Sequence, residues 1–183
     1  MVPAPLPILE VMRGRALTPI ATAAVGLAAL GVAAGSGAGA QDAAAAPSAT
    51  APQVEKALVK EMNRVRATRG LRGLRARATL TRPARAHSRY LLAHDAFAHE
   101  GPGGRPFWTR LVAAGYPRTR TMGENLAMTY GSGLDAARRT VRMWMGSPGH
   151  RANLLNPRFR YTGAGVARSA DFSTVILTAD YGS

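Results

Sequence analysis

The spacing of apolar positions changes several times along the chain, and each change marks an element. From about Gln53 to Arg69, Val54, Leu58, Met62 and Val65 fall at i, i+4, i+8 and i+11, one face of a helix. The opposite face carries Lys56, Lys60, Arg64 and Arg66, and Gly70 suits the helix end. Leu71 and Leu74 then bracket an Arg-rich connection. A second helix is predicted from near Thr81, with Pro83 in its first turn. Ala84, His87, Leu91 and Asp95 share one of its faces, which points His87 at or near the core. A third, short helix runs from about Pro106 to Ala114, with Phe107, Leu111 and Ala114 on its buried side. The stretch before it, Phe97 to Gly104, holds too much Gly and Pro to be anything but a loop.

Gly123 to Tyr130 is an extended segment, and Gly131-Ser132-Gly133 turns the chain. A fourth helix spans Leu134 to Met145, with Leu134, Ala137, Val141 and Trp144/Met145 inward. Ser147-Pro148-Gly149 breaks it, and His150 to Leu155 fits one or two further helical turns. Tyr161–Arg168 and the β-branched Thr174–Ala179 read as two strands joined by a turn near Ser169-Ala170-Asp171. Helices followed by a terminal hairpin predict an α+β fold, a small antiparallel sheet covered by helices.

The first forty residues stand apart. Met12-Arg13-Gly14-Arg15 is a short basic segment, Ala16 to Ala34 carries no charge, and Ala38-Gly39-Ala40 offers a small-x-small cleavage pattern. That layout predicts a secretory signal peptide over 1–40, with Met12 a candidate start and a retained anchor the alternative. Residues 41–52, rich in Ala, Ser, Thr and Pro, read as a flexible tether, which leaves 53–183 as the folded domain.

Charge is lopsided: 24 Lys+Arg against 10 Asp+Glu give a net +14, and all the cations but Lys56 and Lys60 are arginine. There is no cysteine, which excludes disulfides, thiolate metal sites and a Cys nucleophile. No G-x-x-x-x-G-K-[ST] phosphate loop and no G-x-S-x-G elbow occurs, and Gly103 breaks the H-E-x-x-H pattern that His99-Glu100 begins. Three groups sit where sites concentrate: His99 in a Gly/Pro loop, Glu124 in Gly-Glu-Asn-Leu, and His150 after Ser-Pro-Gly. Two neutral imidazoles and a carboxylate suit a divalent ion such as zinc with an open position. Spacing alone equally allows a surface loop histidine, a helix-capping histidine and a glutamate paired with arginine. His87 and His94 read as core or surface residues.

Three blocks carry a resemblance. They are Ala86-His87-Ser88 through Phe97-Ala98-His99 to Pro106-Phe107, then Gly123-Glu124-Asn125-Leu126-Ala127, then Trp144 to Pro157 with Ser147-Pro148-Gly149-His150-Arg151-Ala152-Asn153-Leu154-Leu155-Asn156 inside it. Gly163 to Ala167 and Asp180-Tyr181-Gly182 extend the match to the chain end. Over about 53–183 the sequence resembles the CAP superfamily, also called SCP-like, in its compact bacterial branch. The resemblance implies an α-β-α sandwich with a central antiparallel sheet, and a cleft where two histidines and two acids hold a divalent metal. It places the metal on His99, Glu124 and His150; the second acid falls on Ser147, so a triad replaces the tetrad. Asn125 and Ser147 are the implied supporting partners. The disulfides of the animal and plant members are absent.

The resemblance implies a secreted binding module, outside the cell or at its envelope, with lipid binding known among similar proteins and fold alone not fixing activity. The alternatives are a metal-assisted hydrolase, in particular a peptidase, and a non-specific polyanion binder. Few aromatics and no nucleic-acid motif argue against a specific nucleic-acid partner, and point the charge toward anionic envelope polymers or lipid headgroups.

Overall fold

The computed structural model describes residues 49–131 and 133–183; the expected leader and most of the tether lie outside them. The first helix, α1, spans Ala51–Ala67, starting two residues before the expected Gln53. Thr50 opens it, its backbone N–H donating to Gln53 Oε1 at 2.7 Å, half of a capping box. Val54, Leu58 and Met62 are buried as their spacing predicts.

Arg66 corrects the sequence reading. Assigned to the exposed face, it is fully buried and donates to the carbonyls of Arg72 (2.9 Å), Leu154 (2.8 Å), Asn156 (3.1 Å) and Phe159 (3.3 Å). The physical reason is the crowd of carbonyls near it that have no helical partner, for which a guanidinium supplies five donors in a fixed fork.

Two residues, Arg75–Ala76, form a short strand β1 that the sequence pattern does not announce. Helix α2 follows at once, Ala78–Ala93, so Pro83 lies in its second turn rather than its first. Asp95, expected on the inner face of this helix, lies past its end, exposed and with φ +47°. A 3₁₀ turn at Pro102–Gly104 interrupts the Gly/Pro loop, and α3 follows at Phe107–Ala113. The strand β2 covers Met122–Thr129. Helix α4 runs Asp135–Gly146 and α5 Pro148–Leu154; Leu134, expected inward, is exposed ahead of α4. The strands β3, Tyr161–Arg168, and β4, Val175–Gly182, close the chain, β4 running three residues further than its β-branched stretch.

The sheet order is β1-β3-β4-β2. The three long strands are antiparallel as expected, and β1 adds a parallel pair, Arg75 with Tyr161 and Ala76 with Thr162. Alternation sends Val175, Leu177, Ala179 and Tyr181 of β4 into the main core, with Val54, Leu58 and Met62 of α1 and Ala137, Val141 and Trp144 of α4. The other face meets α2 and α3 through two smaller clusters, Leu80-Leu111-Tyr116 and Leu91-Leu126-Ile176. On that face α2 rests directly on β3: a Cβ at Gly163 or Gly165 would fall 2.1 Å or 2.2 Å from backbone carbons of Leu80 or Ala84. Helices on both faces of one sheet make the α+β, α-β-α arrangement that the sequence predicts. No helix among the described residues is long and apolar enough to cross a membrane.

Candidate functional site

The loop that carries His99 is held from two sides. His87, buried on α2, bonds the carbonyl of Ala98 at 3.0 Å; a carbonyl only accepts, so Nε2 carries the proton. Burial, with the Arg110 charge adding to it, pushes His87 down to about 4, which keeps it neutral for that role. From α3, Arg110 Nη1 donates to the carbonyl of His99 at 2.9 Å. The two anchors flank His99 and fix its direction.

His99 points at β2. Its Nδ1–H donates to Glu124 Oε1 at 2.7 Å, which leaves the Nε2 lone pair free. The Glu124 carboxylate is almost wholly buried, and its second oxygen forms an ion pair with Arg110. Directly across the β2–β4 ladder from Glu124 stands Asp180, and both of its carboxyl oxygens are buried without a hydrogen-bond partner. Full burial pushes Asp180 up to about 7, against the pull of Arg110 and then His99. The centre is thus a guanidinium paired with one buried carboxylate, an imidazole bonded to the same carboxylate, and a second, unpaired carboxyl group buried across the ladder.

His150 enters from α5, half-buried. Asn125 Nδ2 donates to its carbonyl at 3.0 Å and to the Tyr181 hydroxyl at 3.1 Å. Asn153 Nδ2 ties the same region to Glu124, donating to that residue's carbonyl and to Asn125 Oδ1, both at 3.0 Å. Burial lowers the pKa of His150, and the charge of His99 lowers it further. His99 is lowered too, chiefly by burial. Ser147 stands at the α4–α5 junction, its carbonyl accepting from Arg151 N–H at 2.8 Å. Among the described residues no side-chain hydrogen bond joins it to His99, Glu124 or His150.

His99 and Glu124 therefore meet directly, Asn125 supports His150 through its backbone, and His150 feels the charge of His99. Glu124 is spoken for on both oxygens. Among the described residues no three His, Cys, Asp or Glu side chains gather closely enough to ligate one ion. Arg110, Asp180 and Asn153 were not singled out from the sequence. Asp180 and Asn153 carried a signal only as members of the matching blocks; Arg110 is one arginine among many.

The buried groups set opposing pH responses. His87 is neutral in the fold down to about pH 4, whereas an unfolded histidine takes up its proton near 6.5, so its contribution is lost as pH falls through that window. Asp180 works the other way: the fold keeps its proton up to about 7, the unfolded chain releases it near 3.8, and stability falls as pH rises between them. Each effect is bounded by about 1.4 kcal/mol per pH unit. In Asp180→Asn the falling contribution disappears. Urea unfolding from pH 4.5 to 6.5 is then expected to show a stability that climbs with pH more steeply than wild type, by up to about 1.4 kcal/mol per unit. Parallel curves would mean that Arg110 keeps Asp180 ionised throughout.

The fold and the sequence are similar to those of known proteins. Residues 59–181 match the family model described as CAP, the cysteine-rich secretory protein family. The uncharacterized protein YkwD of Bacillus subtilis is 35% identical over 122 residues, 66% of this chain and 45% of YkwD, so the chain spans under half of that relative. An outer surface protein of Borrelia burgdorferi has a similar fold, with TM-score 0.63 and 21% identity over 74% of this chain and 96% of that one. An extracellular SCP-domain protein of Bacillus anthracis is similar at TM-score 0.55 and 25% identity, over 71% of this chain and 41% of that one. A structure of NaASP2 with Zn²⁺ shares the fold at TM-score 0.52 and 12% identity, over 70% of this chain and 78% of that one.

Proposed function

Because the chain belongs to the cysteine-rich secretory protein family, we propose that it is a binding module, acting outside the cell or at its envelope, whose cleft takes one divalent cation between His99 and His150. One observation carries the reading: Glu124 accepts the Nδ1–H of His99, which fixes the tautomer and presents Nε2 as a free donor atom. Both imidazoles are held below their usual pKa and are neutral ligands at pH 7. The donor set fits zinc or a similar borderline cation. Glu124 serves behind His99, and becomes a direct ligand only by letting go of Arg110. The Zn²⁺ in NaASP2 supports the same use of the fold.

A bound zinc ion would supply Lewis acidity and a more acidic water. The residues here favour binding over peptidase chemistry, because a hydrolase also needs a free base in reach. Glu124 is paired with Arg110, Asp180 is wholly buried, and position 147 is serine. Location outside the cell or at its envelope is supported by the expected signal peptide and by the extracellular and outer-surface proteins of similar fold. There the excess arginine favours weak, salt-sensitive attachment to anionic polymers or lipid headgroups.

Zinc titrated by calorimetry into metal-stripped protein at pH 7 is the test. One site of about micromolar affinity or better is expected, lost in His99→Ala and in His150→Ala. Glu124→Gln is expected to weaken it about 10- to 100-fold, the usual effect of losing the group that backs a ligating imidazole. Equal binding by wild type and all three variants would overturn the reading.

A further inference from the structure

One end of the sheet gathers arginine from three connections. Register sets Arg75 of β1, Tyr161 of β3, Gly182 of β4 and Met122 of β2 in one terminal row, about 14 Å wide at ordinary strand spacing. The segments that reach this row, 68–78, 114–122 and 156–162, contain arginine but no lysine, Asp or Glu. They carry three Arg-x-Arg pairs: Arg75/Arg77 at β1, Arg118/Arg120 ahead of β2 and Arg158/Arg160 ahead of β3. All six side chains are exposed, and none forms an ion pair among the described residues. Arg64, Arg85, Arg110 and Arg138, by contrast, each meet a carboxylate. The backbone holds this surplus charge together. Arg75 N–H donates to the Arg160 carbonyl at 2.9 Å, and Ser183 N–H, at the end of β4, donates to the Thr121 carbonyl at 3.0 Å. Buried Arg66 joins the carbonyls of Arg72 and Phe159 from beneath.

We propose that this end of the sheet binds a linear phosphodiester polymer that carries no bases, such as a polyol phosphate chain. Each guanidinium offers a planar fork of donors to two phosphate oxygens. Arg75 and Arg77 are two positions apart in extended backbone, which sets them on one side about 7 Å from each other. The other two pairs approach from separate loops. A tetrahedral phosphate accepts forks from different directions, whereas a planar carboxylate takes them in its own plane. Two observations decide against other polyanions. The exposed large apolar residues, Phe97, Met128, Tyr130, Leu134 and Met143, all lie outside these segments, so nothing here enters a lipid interface. The aromatic rings at this end are already engaged: Arg77 lies over Tyr161 at 4.7 Å and Tyr116 at 5.9 Å, and Arg118 over Trp108 at 5.3 Å. No free ring is left there to stack a base. Access to such a polymer rests on the proposed location outside the cell; the binding itself does not, and it involves neither His99 nor His150.

The probe is fluorescein-labelled poly(glycerol phosphate) of about ten repeats, followed by anisotropy with the full chain in EDTA while salt is varied. Saturable binding is expected, weakening with salt by about 0.7 logarithmic units per phosphate contact for each tenfold rise. Arg118→Gln/Arg120→Gln and Arg158→Gln/Arg160→Gln should each weaken it about 10-fold or more at low salt and lower the salt slope by about 1.4, the share of two contacts. Lys56→Gln/Lys60→Gln removes the same charge from α1 and should change affinity less than 2-fold. Thermal melting checks that all three variants are folded. Equal weakening by the lysine and arginine variants overturns the proposal, since net charge alone would then account for binding. So does the absence of saturable binding at low salt. Tighter binding of polyglutamate or oligothymidylate of equal charge overturns it too, as does binding confined to phosphatidylglycerol vesicles. With EDTA present throughout, failure here leaves the zinc site standing, and failure of the zinc site leaves this one.

Discussion

Truncation of Arg66 to alanine is expected to lower the unfolding free energy by about 4 kcal/mol and the melting temperature by about 10–15 °C. The single guanidinium bonds four carbonyls, from the turn after α1, the end of α5 and the approach to β3. Alanine leaves those acceptors without donors in a place where the side chain was fully buried, and leaves a cavity besides. Lysine is expected to recover less than half of the loss, since one ammonium cannot reproduce a planar fork of donors. Urea unfolding of the two variants beside wild type measures both. A loss under about 1.5 kcal/mol for alanine would mean that water fills the socket and satisfies the carbonyls. Because α5 carries His150 just ahead of this socket, the zinc affinity of folded Arg66→Ala protein should fall as well.

Gly163→Ala and Gly165→Ala are expected to be at least as severe, each by more than about 3 kcal/mol, with insoluble expression a natural outcome. The added methyl would strike backbone carbons of Leu80 or Ala84, which cannot rotate aside as a side chain would. Relief requires α2 to lift from β3 by more than about 1 Å, the gap between this approach and ordinary contact. That movement would break the Ser88 Oγ to Gly165 carbonyl bond of 3.0 Å and loosen the hold of His87 on the His99 loop. Gly146→Ala is the control. Nothing lies within 4 Å of its added carbon, it ends α4, and a neutral or slightly stabilising effect is expected. Thermal unfolding of soluble protein, or the soluble fraction where unfolding cannot be followed, separates the three. Mild effects at both strand glycines would mean that α2 has slack on the sheet.

The contrast between these residues shows which physics a sequence exposes. Helical spacing located α1, α2 and α4 because their apolar faces answer to one period, about 3.6 residues. The same wheel misplaced Arg66, since it gives a residue's angle on the helix but not the carbonyls that wait there. His99, Glu124 and His150 were found as unusual residues in Gly- and Pro-rich settings and by resemblance. The place of Asp180 opposite Glu124 depends on sheet register between segments 56 positions apart, and the contact of Glu124 with Arg110 depends on how α3 packs beside β2. No local pattern encodes that pairing. β1 was missed for a simpler reason: two residues cannot alternate visibly.

An unpaired strand edge is ordinarily a hazard, because the same edge on another molecule can join it and continue without limit. Here the edge of β3 is buried between α1 and α2, with Ala164 3% and Val166 6% exposed. The flanking helices therefore do the work that a longer β1 would have done: they cover the strand from which a fibre could grow.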